Sequence, residues 1–121
     1  MNNSALLDYV RELVSQLREE GEMPEATVLV LEQIQDHVEA VYNEYEEESP
    51  PVGAETLRDL MLEALQLIHQ GLDELLIFGE ELDVELLKTG LSLVEEGHDV
   101  MSSIRHSVEQ DQGWTSSAAL G

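Results

Sequence analysis

Cysteine is absent from this chain of 121 residues. That omission excludes disulfides, thiolate metal sites and cysteine nucleophiles together. Basic residues are nearly as scarce: five Lys and Arg stand against 27 Asp and Glu, a formal charge of −22. Residues 22–53 carry nine acids and no Lys or Arg at all. A surface of this kind repels phosphates and anionic lipid headgroups, so direct nucleic-acid binding and membrane association are not expected. Divalent ions or basic protein segments are the company it permits.

Aromatic residues are few, namely Tyr9, Tyr42, Tyr45, Phe78 and Trp114, so the core has to be aliphatic and rich in Leu. No uncharged apolar run approaches the ~18 residues that a membrane span needs. The start, MNNSALLDYVRE, lacks the basic segment followed by an apolar run that marks a secretory signal. The localisation this predicts is cytoplasmic.

What the chain does contain is helical period. Hydrophobic residues make up 42% of it, enough for one folded domain, placed at residues 1–112 with a tail at 113–121. Leu6, Val10, Leu13 and Leu17 form the first stripe, with Ser4 or Asn3 as cap and Gly21 past the end. Thr27, Leu31, Ile34, Val38, Val41 and Tyr45 form the second, from Pro24 to Glu47, before Pro50 and Pro51 break the ladder. The third carries Leu57, Met61, Ala64, Ile68, Gly71, Leu75 and Phe78, starting at Ala54 or at a Thr56–Asp59 capping box. A turn at 79–83 follows, with Asp83 as cap, and then Leu87, Gly90, Val94, Gly97, Met101, Ile104 and Val108.

These stripes predict an all-α four-helix bundle made of two antiparallel hairpins. In the second hairpin, residues whose numbers sum to 161 or 162 face each other, so Gly71 meets Gly90 and Ala64 meets Gly97. Interior glycine costs a helix about 0.5–1 kcal/mol relative to Ala, and close approach of the two backbones offsets that cost. The first hairpin is mismatched in length. Val38, Val41, Tyr42 and Tyr45 extend past Leu6 and Leu7 and need cover from the other hairpin, a second subunit or a partner. Leu76 and Ile77 fall outside the seam and raise the same need, which predicts for their helix either a central position or an oligomer contact.

Candidate chemistry is thin. Glu95-x-x-His98 is half of a helical di-metal signature, and Glu63, level with His98, lies off the seam. His69 and Asp73 are four apart and suit a surface metal contact of two ligands only. Ser102, Ser103 and Ser107 near His106 lack an oxyanion hole, and no phosphate-cradling loop occurs. An enzyme is not expected, and no cofactor is implied.

The favoured reading is a non-enzymatic acidic adaptor or chaperone-like protein. It would bind a basic or amphipathic helix through Val38, Val41, Tyr42, Tyr45, Leu76, Ile77 or Trp114, and exist as a homodimer. The alternatives are a nucleic-acid-mimicking inhibitor and an oligomeric iron-binding protein with sites between chains. The charge alone predicts that added salt raises the melting temperature by screening self-repulsion. Thermal unfolding followed by circular dichroism from low to moderate salt checks this, and a flat melting temperature contradicts it.

Overall fold

The computed structural model describes residues 4–110, with four helices and no strand among them. They are α1 (Ser4–Glu20), α2 (Glu25–Glu47), α3 (Glu55–Glu81) and α4 (Val84–Gln110). Short turns reverse the chain each time, so direction alternates. In space α1 packs on α4, α4 on α3 and α3 on α2. The antiparallel α3/α4 pair is the spine, and α1 and α2 flank it.

Each helix end has a local cause. Gly21 adopts φ 77° and its N–H donates to Leu17 O at 2.8 Å, closing α1. Pro24 stands just before α2 in extended conformation, φ −62° and ψ 147°. At the far end of α2, Glu48 N–H donates to Glu44 O, and Arg58 Nη1 donates to Glu48 O at 3.3 Å. A cation at a helix C-terminus also complements the macrodipole.

The expected Thr56–Asp59 capping box gives way to its alternative. Ala54 precedes the first residue of α3, and the Glu55 carboxylate accepts from Gly53 N–H at 3.0 Å. Asp83 caps α4 as expected, its Oδ1 accepting from Glu85 N–H at 3.0 Å.

The turn after α3 is shorter than 79–83. The helix continues to Glu81, and Leu82 takes the left-handed conformation, φ 57°, its N–H donating to Phe78 O. Gly79 therefore lies inside the helix, where Met23 from the α1–α2 turn rests against it. A glycine followed by acids reads as a stop signal in sequence; packing of Met23 and Val28 on that flank keeps the helix going instead.

The spine is close-packed as the register requires. A Cβ on Gly71 would lie 2.7 Å from Gly90 O, one on Gly90 2.9 Å from Gly71 O, and one on Gly97 2.8 Å from Ala64 O. Backbone touches backbone at two levels, Gly71 with Gly90 and Gly97 with Ala64. Large residues fill the layers between: Ile68, Leu75, Phe78, Leu87 and Val94 are all buried, beside Leu65 and Leu72. Burial of each such side chain stabilises by about 1.5–3 kcal/mol. Among the described residues no charged or polar residue is buried. With α4 on one side and α2 on the other, α3 holds the central position its two apolar faces demand.

The first two helices depart from the hairpin expected of them. They share a turn, yet their backbones make no close approach. Neither has an interior glycine, so neither can pack at the spacing of the spine. Leu7, Val10, Val14 and Leu17 of α1 and Leu31 and Val38 of α2 are instead buried in the common core. Val38 thus finds its cover in the other hairpin.

Three substitutions test this packing. Gly71→Ala should destabilise by about 1–3 kcal/mol through overpacking, although alanine is favoured in an unconstrained helix. Gly79→Ala should stabilise, because its Cβ would meet Met23 Sδ at 3.4 Å, Met23 Cβ at 3.7 Å and Val28 Cγ2 at 4.0 Å, all ordinary contact distances. Leu82→Gly should stabilise by about 1 kcal/mol by relieving the left-handed residue. Urea midpoints measure all three, and a stabilising Gly71→Ala would refute the close contact.

Candidate protein-binding grooves

Two recesses flank α2, and they differ in charge. The first is a groove of about 360 Å³ on the α2/α3 side. Val38 and Leu65 supply its apolar part, and Glu39, Tyr42, Asn43, Gln66 and His69 its polar part. Gln66 Nε2 donates to Tyr42 Oη at 3.3 Å, and Gln35 Nε2 to His69 O at 3.3 Å. His69 Nε2 lies 3.7 Å from Glu39 Oε2. These links cross from α2 to α3 and hold the groove's walls.

Glu39 belongs to a line. Glu25, Glu32, Glu39 and Glu46 recur every seven residues on α2, and all are exposed. Seven residues are nearly two turns, so carboxylates follow each other about 10.5 Å apart along one edge of the helix. Glu39 borders the groove beside its apolar floor, and the other three glutamates continue the same edge of α2 beyond it.

The second recess is a cleft of about 280 Å³ where α1 and α2 stand apart. Ala5, Leu6 and Leu7 line it from α1, and His37, Val38 and Val41 from α2. Leu65 and Ile68 of α3 and Val94, His98 and Met101 of α4 complete it. Apart from the two histidines the lining is apolar, and no carboxylate contributes. The His98 side chain is one-fifth exposed, yet its Nδ1 is shut from solvent without a hydrogen bond. Asp99 Oδ1, at 3.9 Å, is too far for one.

A third recess of about 210 Å³ lies beneath the 48–54 loop, between Tyr45, Pro51, Leu57, Met61 and Ile104. Arg58 borders it, with Nη2 3.5 Å from Asp59 Oδ1 and Nε buried without a partner.

The metal candidates are dispersed. Glu95 Oε2 accepts from Arg11 Nη2 at 3.1 Å and Nε at 3.3 Å, tying α4 to α1. Both groups are substantially exposed, so the pair contributes only about 0.2–1 kcal/mol. Glu63 is exposed and does not join it. His69 lies beside Glu39 of α2 with its side chain 39% exposed, and Asp73 is exposed. Among the described residues, no three His, Asp or Glu gather as a metal site would require.

Of the partner-binding candidates, Val38 is buried and Val41, Tyr42, Leu76 and Ile77 are partly buried. Tyr45 is 38% exposed. Trp114 lies outside the described residues, and Val108 outside those whose side chains are described. The glutamate line and the Gln35, Gln66 and His69 cross-links were not anticipated from sequence. The seven-residue spacing of the acids was the available signal. The chain matches no protein family, no curated protein and no solved structure.

His98→Leu should raise stability by about 1 kcal/mol, because an apolar side chain leaves no unpartnered nitrogen in the cleft wall. Urea denaturation measures it; a loss of stability would show that the imidazole is satisfied in solution.

Proposed function

We propose that this protein is a non-enzymatic acidic adaptor or chaperone-like protein that holds a cationic amphipathic helix of a partner in the α2/α3 groove. The observation that carries this reading is the apolar Val38–Leu65 floor beside glutamates at seven-residue spacing. A partner helix with Lys or Arg every seven residues repeats at the same ~10.5 Å. Its apolar stripe would meet the floor, in the helix-in-groove mode.

Two other readings fit less well. A mimic of nucleic acid needs closely spaced charges, since each strand presents one per ~3.4 Å of rise. The glutamate line is far sparser. An iron site between chains would draw on outward Glu63, Glu95 and His98, but Glu95 is engaged by Arg11.

The test is binding of a labelled amphipathic peptide with lysines at seven-residue spacing, followed by fluorescence anisotropy. The E32Q/E39Q/E46Q triple variant should bind at least about tenfold more weakly, the effect of some 1.4 kcal/mol. E80Q/E81Q/E96Q, which removes equal charge elsewhere, should bind within about twofold of the unaltered protein, under 0.5 kcal/mol. Affinity should fall as salt rises. Equal losses in the two triple variants would reduce the attraction to bulk charge and overturn the groove.

A further inference from the structure

We infer that the recess beneath the 48–54 loop is the docking site of Trp114, brought there by this chain's own segment 111–121. Trp114 lies outside the described residues, whereas the walls of the recess come from α2, α3, α4 and the loop. Tyr45, Pro50, Pro51, Leu57, Met61 and Ile104 make those walls largely apolar. A drug-sized ligand needs about 300–1,000 Å³, so a recess of about 210 Å³ takes one large side chain rather than a helix or a cofactor.

One atom of the wall asks for a partner. Arg58 is held on both sides, with Nη1 donating to Glu48 O at 3.3 Å and Nη2 lying 3.5 Å from Asp59 Oδ1. Its Nε is shut from water and finds no acceptor among the described residues. A guanidinium fixed in this way offers its face and its Nε–H to an indole, the aromatic ring that attracts a cation most strongly. An aliphatic occupant would leave that donor orphaned, at the usual cost of an unmade buried hydrogen bond.

Chain geometry selects the occupant. Ile104 lines the recess, and α4 runs on to Gln110. Six residues of helix rise about 9 Å. The four steps from Gln110 to Trp114 extend up to ~13–14 Å, enough to turn back, step sideways and bring the indole level with Ile104. Gly113, immediately before Trp114, permits the tight reversal. Arg58 and Glu48 both border the recess, so neither sign of charge is drawn to it. Residues 112–121 carry no charged side chain, in a chain with 27 acids, and meet no repulsion there. Tethering adds to this, because a segment joined by a few residues is present at an effective concentration on the order of millimolar.

Tryptophan emission of the full chain tests the inference, since Trp114 is its only tryptophan. The native maximum should lie to the blue of that in urea, and acrylamide should quench the native chain less. Tyr45→Glu, at a position 38% exposed, should move both readings to the unfolded-chain values with helical circular dichroism retained. If that variant loses helicity, Pro51→Glu on the exposed loop replaces it. Leu29→Glu is the charge control and should change neither reading, being 56% exposed and about 24 Å back along α2 from Tyr45. Dilution should also leave both unchanged, as a contact within one chain requires. Three results would each overturn the inference: native emission matching that in urea, burial that survives the folded face variant, or burial lost on dilution, which would give the recess to the tail of a second copy.

Discussion

Contact between the α3 and α4 backbones is the constraint on which the rest depends. At Gly71, Gly90 and Gly97 any side chain would collide with a carbonyl of the opposite helix, at 2.7 to 2.9 Å. Glycine weakens each helix, and the seam returns that cost as dispersion between closely packed chains. Since interiors resist deformation, two such levels leave one register in which the large residues of the neighbouring layers also interlock. Two helices fixed in this way form a rigid support, and the flanking helices are added to its sides.

The flanking helices are bound by ordinary side-chain packing, which leaves them further apart. Their separation produces both features relevant to binding. On one side of α2, cross-links through Tyr42, Gln66 and His69 seat it against α3 and leave a shallow groove edged by glutamates. On its other side the cleft toward α1 is apolar and free of acids. A surface of charge −22 is therefore uneven where it matters. The anionic edge attracts cationic groups, and the cleft lining, which holds no carboxylate, does not.

Much of the spine was legible in the sequence, because small residues at seven-residue spacing on two helices, Ala64 and Gly71 on one and Gly90 and Gly97 on the other, fit a seam in which they face each other. The register pairing Gly71 with Gly90 and Ala64 with Gly97 follows from residue numbers alone and recurs in the coordinates. Ends marked by one strong residue were legible too, as at Gly21 and Asp83. The end of α3 was not. Gly79 suggested a stop, but a contact from the distant Met23 decides its conformation, and the left-handed residue is Leu82. The placing of α1 on α4 and α2 on α3 was equally hidden. Stripes show that a face is buried without showing which neighbour buries it, and chain proximity pointed to the wrong pair. The surroundings of His69 were hidden for the same reason: Gln35, which donates to its carbonyl, and Glu39, near its ring, lie 34 and 30 residues away in sequence.

Nuclear Overhauser contacts between the α-protons of Gly71 and Gly90 probe the seam most directly, since eight glycines in the whole chain leave these signals well separated. Strong cross-peaks between the two glycines, and between Gly97 and Ala64, are the expected result. Their absence from a folded sample, with Gly71 and Gly90 each contacting only its own helix, would contradict the close approach and the architecture built on it.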